Sequence, residues 1–183
     1  MSEEVLVKHC SPTLAGLKTA NMFTYKFESL EEERANIRSL NARLTRKGLR
    51  VIPLRKHNGA TLIYVYRPEK LKKDLKDQTA HRLLRERGYS CESVDRCIVR
   101  LMKRLRECES FPHEIGLFLG YPPEDVCGFI ENKADGCKCV GCWKVYGDAE
   151  KAQALFEKYK RCTRICCSLA AKGCPVDKLA VSC

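Results

Sequence analysis

Long apolar runs are missing from this chain. No window approaches the ~18 uninterrupted apolar residues of a membrane-spanning helix, so no span is expected. The opening MSEEVLVKHC has acids at Glu3 and Glu4 and no extended apolar stretch. That argues against a signal peptide and makes the cytoplasm the expected location. Aromatic residues are scarce at 8%, too few for a base-stacking platform. Zinc-finger, helix-turn-helix and RRM signatures are absent too, so nucleic acid is a disfavoured partner. GxSxG, a Walker loop and GxGxxG are all lacking. With no internal repeat or low-complexity linker, residues 1–183 read as a single α+β domain. Its strand-rich half ends near residue 67 and its helical half begins near residue 68.

Cysteine and positive charge are what the chain has in excess. Thirteen cysteines, an odd number without an export signal, argue against a disulfide framework. They read instead as free thiols, metal ligands or redox groups. The formal net charge is +11, but lysine and arginine are interspersed with 23 acids. Solvated helix faces explain that spread, and a basic adaptor for an acidic partner is a third-ranked alternative. Hydrophobic residues at 44% are enough to bury a core.

Local patterns predict the elements. Residues 4–9 read as a short strand, and Ser11-Pro12 as the start of a helix. MFTYKF (22–27) alternates like a strand. Ser29 with Glu32 forms a capping box, and Leu30, Ile37, Leu40 and Leu44 follow as a helical stripe ending at Gly48. Asn58-Gly59 marks a tight hairpin turn within 49–67, and Pro53 places its strand at an edge. From about Ser93 to Cys108, Val94, Cys97, Ile98, Leu101, Met102, Leu105 and Cys108 share one helical face. Two short helices are expected in FPHEIGLFLG and YPPEDVCGFI, then a strand in GCWKVYGD and a helix capped by Asp148. The tail from Gly173 reads as irregular. The expected fold is a small mixed sheet, including the Asn-Gly hairpin, covered by amphipathic helices.

Three stretches could carry chemistry. If a helix starts at Pro12, Cys10 stands before free N–H groups that lower a thiol's pKa and attract anions. His9, Ser11 and Lys18 would then help hold an anionic ligand. The second stretch is CKCVGC. Cys137, Cys139 and Cys142, completed by Cys162 and Cys166 one helical turn apart, could bind zinc or an iron–sulfur cluster, or act as a thiol-redox module. The third is His113-Glu114, a pair able to move protons. It lacks the second histidine of HExxH, because residue 117 is Leu. Glu124, Asp125, Glu131 and Asp148 read as caps and surface charges, and Trp143 as a core residue.

HCSPTLAGLKTA, FPHEIGLFLGYPPEDVCGFIENK and WKVYGD, with a later helix ending YKRC, resemble the hallmark segments of a domain-of-unknown-function family. That family is found in anaerobic, clostridia-like bacteria. The resemblance spans roughly residues 5–170 and implies a stand-alone cytosolic bacterial protein in a reducing setting. It brings no activity, but its segments include His9, Cys10, Lys18, His113, Glu114 and Lys144, polar residues that a core alone would not need. The leading expectation is therefore a small-metabolite binding protein or thiol-dependent enzyme. Cys10 would be the nucleophile, His113 with Glu114 the proton shuttle, and Lys18 the anchor for an anionic or electrophilic metabolite.

Overall fold

The computed structural model describes residues 1–90, 92–107, 111–133 and 135–182. The chain divides into two compact units, Met1–Glu69 with Tyr159–Cys183, and Lys70–Lys158. The architecture is α+β with a helical C-terminal half. Among the described residues no helix is long and apolar enough to cross a membrane.

The first unit opens with helix α1 (Glu3–Leu14), where a strand and then a helix start were expected. Ser2 is the real cap, its side chain accepting from the Val5 N–H, and Glu3 and Glu4 fill the first turn. Leu6, Val7, Cys10 and Leu14 recur at helical spacing and are all buried. Burying that stripe outweighs the β preference of Val5 and Val7. Pro12 is tolerated because it lies in the last turn, where its missing N–H costs a single helical bond. The helix ends in a Schellman closure: Leu17 N–H donates to Pro12 O at 2.8 Å, with Gly16 at φ +73°.

Strands β1 (Ala20–Tyr25), β2 (Arg50–His57) and β3 (Ala60–Tyr66) form an antiparallel sheet in the order β1-β3-β2. Asn58 and Gly59 both take positive φ at the hairpin turn, as that dipeptide predicts. Pro53 lies on the edge strand, beside a register shift. Helix α2 (Leu30–Leu44) starts at the predicted Ser29 cap. Its Asn41 side chain donates to Val51 O and accepts from Val51 N–H, at 2.7 and 2.9 Å, occupying part of that edge. Phe23, Val51, Ile63 and Val65 pack with the α1 stripe and with Leu40 and Leu44 of α2.

The tail is more ordered than its composition suggested. A short helix over Val176–Leu179 puts Val176 and Leu179 into the same core. Arg67 explains the tail's route. Its guanidinium is fully buried and donates to the carbonyls of Thr13, Leu14 and Val181 at 2.7 Å each, and to Lys47 O at 3.2 Å.

The second unit is mostly helical, continuing from α3 (Pro68–Asp74) through α4 (Gln78–Glu86) to α5 (Val94–Glu107). On α5 the predicted stripe is buried at Cys97, Ile98, Leu101 and Leu105, while Cys108 lies outside the described residues. Two helices, α6 (Ile115–Phe118) and α7 (Pro123–Asn132), follow as expected, with Gly120 at φ +72° between them. A minimal hairpin, β4 (Cys139–Val140) and β5 (Lys144–Val145), leads into α8 (Ala149–Ala171). Asp148 caps α8 as predicted, accepting from Lys151 N–H at 3.0 Å.

Candidate functional site

The first predicted site is filled with protein. Cys10 sits in the second half of α1 instead of before a helix start, and none of its surface is exposed. Burial pushes its thiol well above the ordinary cysteine range, against a smaller opposing pull from Lys18. That is the reverse of an activated thiolate. Ser11 is buried too, its hydroxyl donating to Val7 O at 2.6 Å. His9 lies flat on Phe23, ring centroids 4.9 Å apart. Its pKa is lowered, first by burial and then by the Lys8 charge. Cys10 and Lys18 belong to the first unit and His113 and Glu114 to the second.

The cysteines of the second stretch are drawn from both units. Cys137, Cys139 and Cys142 lie in the second unit, around the β4–β5 hairpin, and Cys162 and Cys166 in the first. Cys162 and Cys166 are neighbours, and burial with the adjacent sulfur raises the Cys162 thiol. Among the described residues no group of three or more His, Cys, Asp or Glu side chains is arranged to hold a metal ion.

His113 and Glu114 point to different surroundings. Glu114 is fully buried, accepting from Tyr89 Oη at 3.0 Å and Arg104 Nε at 2.5 Å, with Arg87 Nη1 at 3.9 Å from its other oxygen. That carboxylate ties the loop before α6 to the end of α5. Burial, then the Glu114 charge, raises the Tyr89 hydroxyl far above its usual range. His113 is exposed, and its ring meets Phe129 of α7 edge-on at 4.9 Å.

Phe129 is where the second unit opens. Lys144 Nζ lies over the same ring, 5.4 Å from its centroid. Around these groups is a cavity of about 310 Å³, whose walls include Phe111, Tyr121, Val126 and Trp143. The structure thus places two of the predicted polar residues, His113 and Lys144, at one hollow.

Asp125 builds that hollow, and it is buried where a cap or surface charge was expected. Its carboxylate accepts from Trp143 Nε1 at 2.7 Å, Tyr146 N–H at 2.7 Å and Gly147 N–H at 2.8 Å. Three donors fasten the hairpin to the first turn of α7 and hold Trp143 in the wall. Trp143 also stacks on Tyr121 at 4.8 Å and meets Phe156 edge-on at 4.6 Å. Tyr121 donates its hydroxyl to Cys142 O at 3.2 Å, and burial pushes its pKa up to about 12. Gly116 lets Val126 and Tyr121 pack closely against α6, since a Cβ there would come within 2.8 Å of Val126 and 3.1 Å of Tyr121.

Reading the sequence alone missed Asp125, Tyr121 and Phe129 as site residues. A usable signal was present, because a lone buried tryptophan needs an acceptor for its N–H and Asp125 precedes it in a helix start.

No curated protein and no solved structure matches the chain. A family described as "Protein of unknown function (DUF3793)" matches residues 6–180, nearly the whole length, and the chain belongs to that family.

Proposed function

We propose that the second unit is a binding module for a small metabolite, held in the cavity bordered by α6, α7 and the β4–β5 hairpin. The observation that carries this reading is the aromatic-walled hollow in which a lysine and a histidine gather on one phenylalanine ring. Its volume of about 310 Å³ lies at the small end of ligand sites, with room for about ten waters. Few polar groups among apolar walls is the usual composition of such a site, where burial supplies affinity and one or two polar contacts fix orientation. The reading keeps the metabolite-binding part of the expectation and moves it from Cys10 to His113 and Lys144. A thiol nucleophile has no support, since Cys10 is sealed and its thiol is held protonated.

Trp143 is the only tryptophan in the chain and it lines the cavity. Tryptophan fluorescence, excited selectively over the seven tyrosines, therefore reports on this site. A screen of single-ring and two-ring fragments is expected to yield compounds that change the Trp143 emission saturably and raise the melting temperature. If no fragment does both at millimolar concentration, the binding-module reading is wrong.

A further inference from the structure

We infer that the ligand of this cavity is a small aromatic or alicyclic carboxylate, its ring against Phe129, Tyr121 and Trp143 and its anionic head on Lys144, with His113 at the rim. The inference rests on the binding-module reading and adds the charge and orientation of the ligand. Among the described lining residues, Asp125 is the carboxylate and His113 and Lys144 are the basic groups.

Asp125 is already engaged. Both of its oxygens accept hydrogen bonds, three in all, from Trp143, Tyr146 and Gly147. Turning it toward a ligand would strip those donors and release the hairpin. Lys144 is in the opposite situation. Its ammonium rests over the Phe129 ring and is in no ion pair among the described residues. A ring face compensates an ammonium only partly. A carboxylate arriving there would form a charge-assisted hydrogen bond, strengthened where apolar walls exclude water. His113, edge-on to the same ring, presents a second donor at the cavity rim.

The competing ligand classes fare worse. Aromatic walls also suit quaternary ammonium groups, but a cation would lie beside Lys144, and Asp125, the carboxylate among the described lining residues, is already engaged. A neutral ring would fill the same volume and leave Lys144 as it is, gaining burial but no charge pairing. Room for about ten waters limits the ligand to one ring or two fused rings.

The test is a matched set of benzoate, benzyl alcohol and benzylammonium, titrated into the full chain and followed by Trp143 fluorescence and saturation-transfer NMR. Benzoate is expected to bind about tenfold tighter than benzyl alcohol, and benzylammonium more weakly than either. K144M should erase the difference between benzoate and benzyl alcohol, while K144R should retain it, so a folding defect in one variant does not decide the result. Equal binding of benzoate and benzyl alcohol, a preference for benzylammonium, or an unchanged ratio in K144M overturns the carboxylate assignment and leaves the cavity reading standing. Failure of all three probes to bind the folded protein overturns both.

Discussion

His9 and His113 each sit 4.9 Å from a phenylalanine ring, yet their neighbourhoods differ completely. His9 lies flat on Phe23, whose side chain is part of a packed core, and the adjacent Cys10 has no exposed surface. His113 stands edge-on to Phe129, which borders open space. Residue types that carry chemistry were equally present in both places. A site also needs room beside those residues and a polar group not already committed to the protein, and only the second place has both.

The sharpest way to break this comparison is to remove the anchor behind His113. Glu114→Ala deletes the buried carboxylate that accepts from Tyr89 and Arg104. Urea denaturation should show a loss of about 3 kcal/mol or more, and ligand-induced Trp143 changes should disappear with it. Glu114→Gln, which keeps an acceptor for Tyr89, should fall between. A stability indistinguishable from wild type would mean that the loop before α6 is held by something else.

Crowding the wall of the hollow should cost less. In Gly116→Ala the new Cβ would press on Val126 and Tyr121. The expected loss is about 1–3 kcal/mol, with fragment binding weakened beyond what the stability change explains. Calorimetry and fluorescence on the same sample separate the two effects.

Cys10→Ala sharpens the comparison from the other side. It should lower stability by roughly 1–2 kcal/mol, as a small core truncation does, and leave fragment affinity unchanged. In the native protein, alkylation should reach the exposed Cys142 first among the described cysteines and leave Cys10 unlabelled at neutral pH. Rapid labelling of Cys10, or loss of ligand binding in the variant, would restore the thiol to the functional account.

The smallest effect concerns the first unit. Arg43 hydrogen-bonds Glu3 and Asp177, and those bonds are the first cause holding both carboxyls below their ordinary values of 4.5 and 3.8. A depressed folded pKa adds stability that is complete above the unfolded value and lost as pH falls through the folded one. Stability should therefore drop below about pH 4.5, and Arg43→Met should flatten that fall. The three side chains are about one-third exposed, so the difference should stay under ~1 kcal/mol.

Much of the fold was legible because it is written locally. The Ser29 cap, the Asn58-Gly59 turn, the α5 stripe and the Asp148 cap each depend on residues a few positions apart. The opening stretch was misread because a Ser-Pro pair signals a helix start wherever it occurs. Ser2 carries the same capping chemistry, and the stripe of Leu6, Cys10 and Leu14 decided between them. Half of the site was visible as residue types, in His113 and Lys144. The other half was not, because Asp125 becomes a staple only when Trp143 and Tyr146 arrive from 18 and 21 positions away.

By itself the sequence determined the α+β class, the hairpin, the bounds of α2 and α5, the start of α8 and the set of polar residues available for chemistry. Periodicity, caps and turn dihedrals are short-range, so they survive without knowledge of the partner segments. Only the tertiary structure decided which thiol is sealed, which carboxylate is spent on backbone donors and where a cavity is left. Those outcomes depend on burial and on free volume, which arise when distant segments pack and have no counterpart in any one stretch of chain.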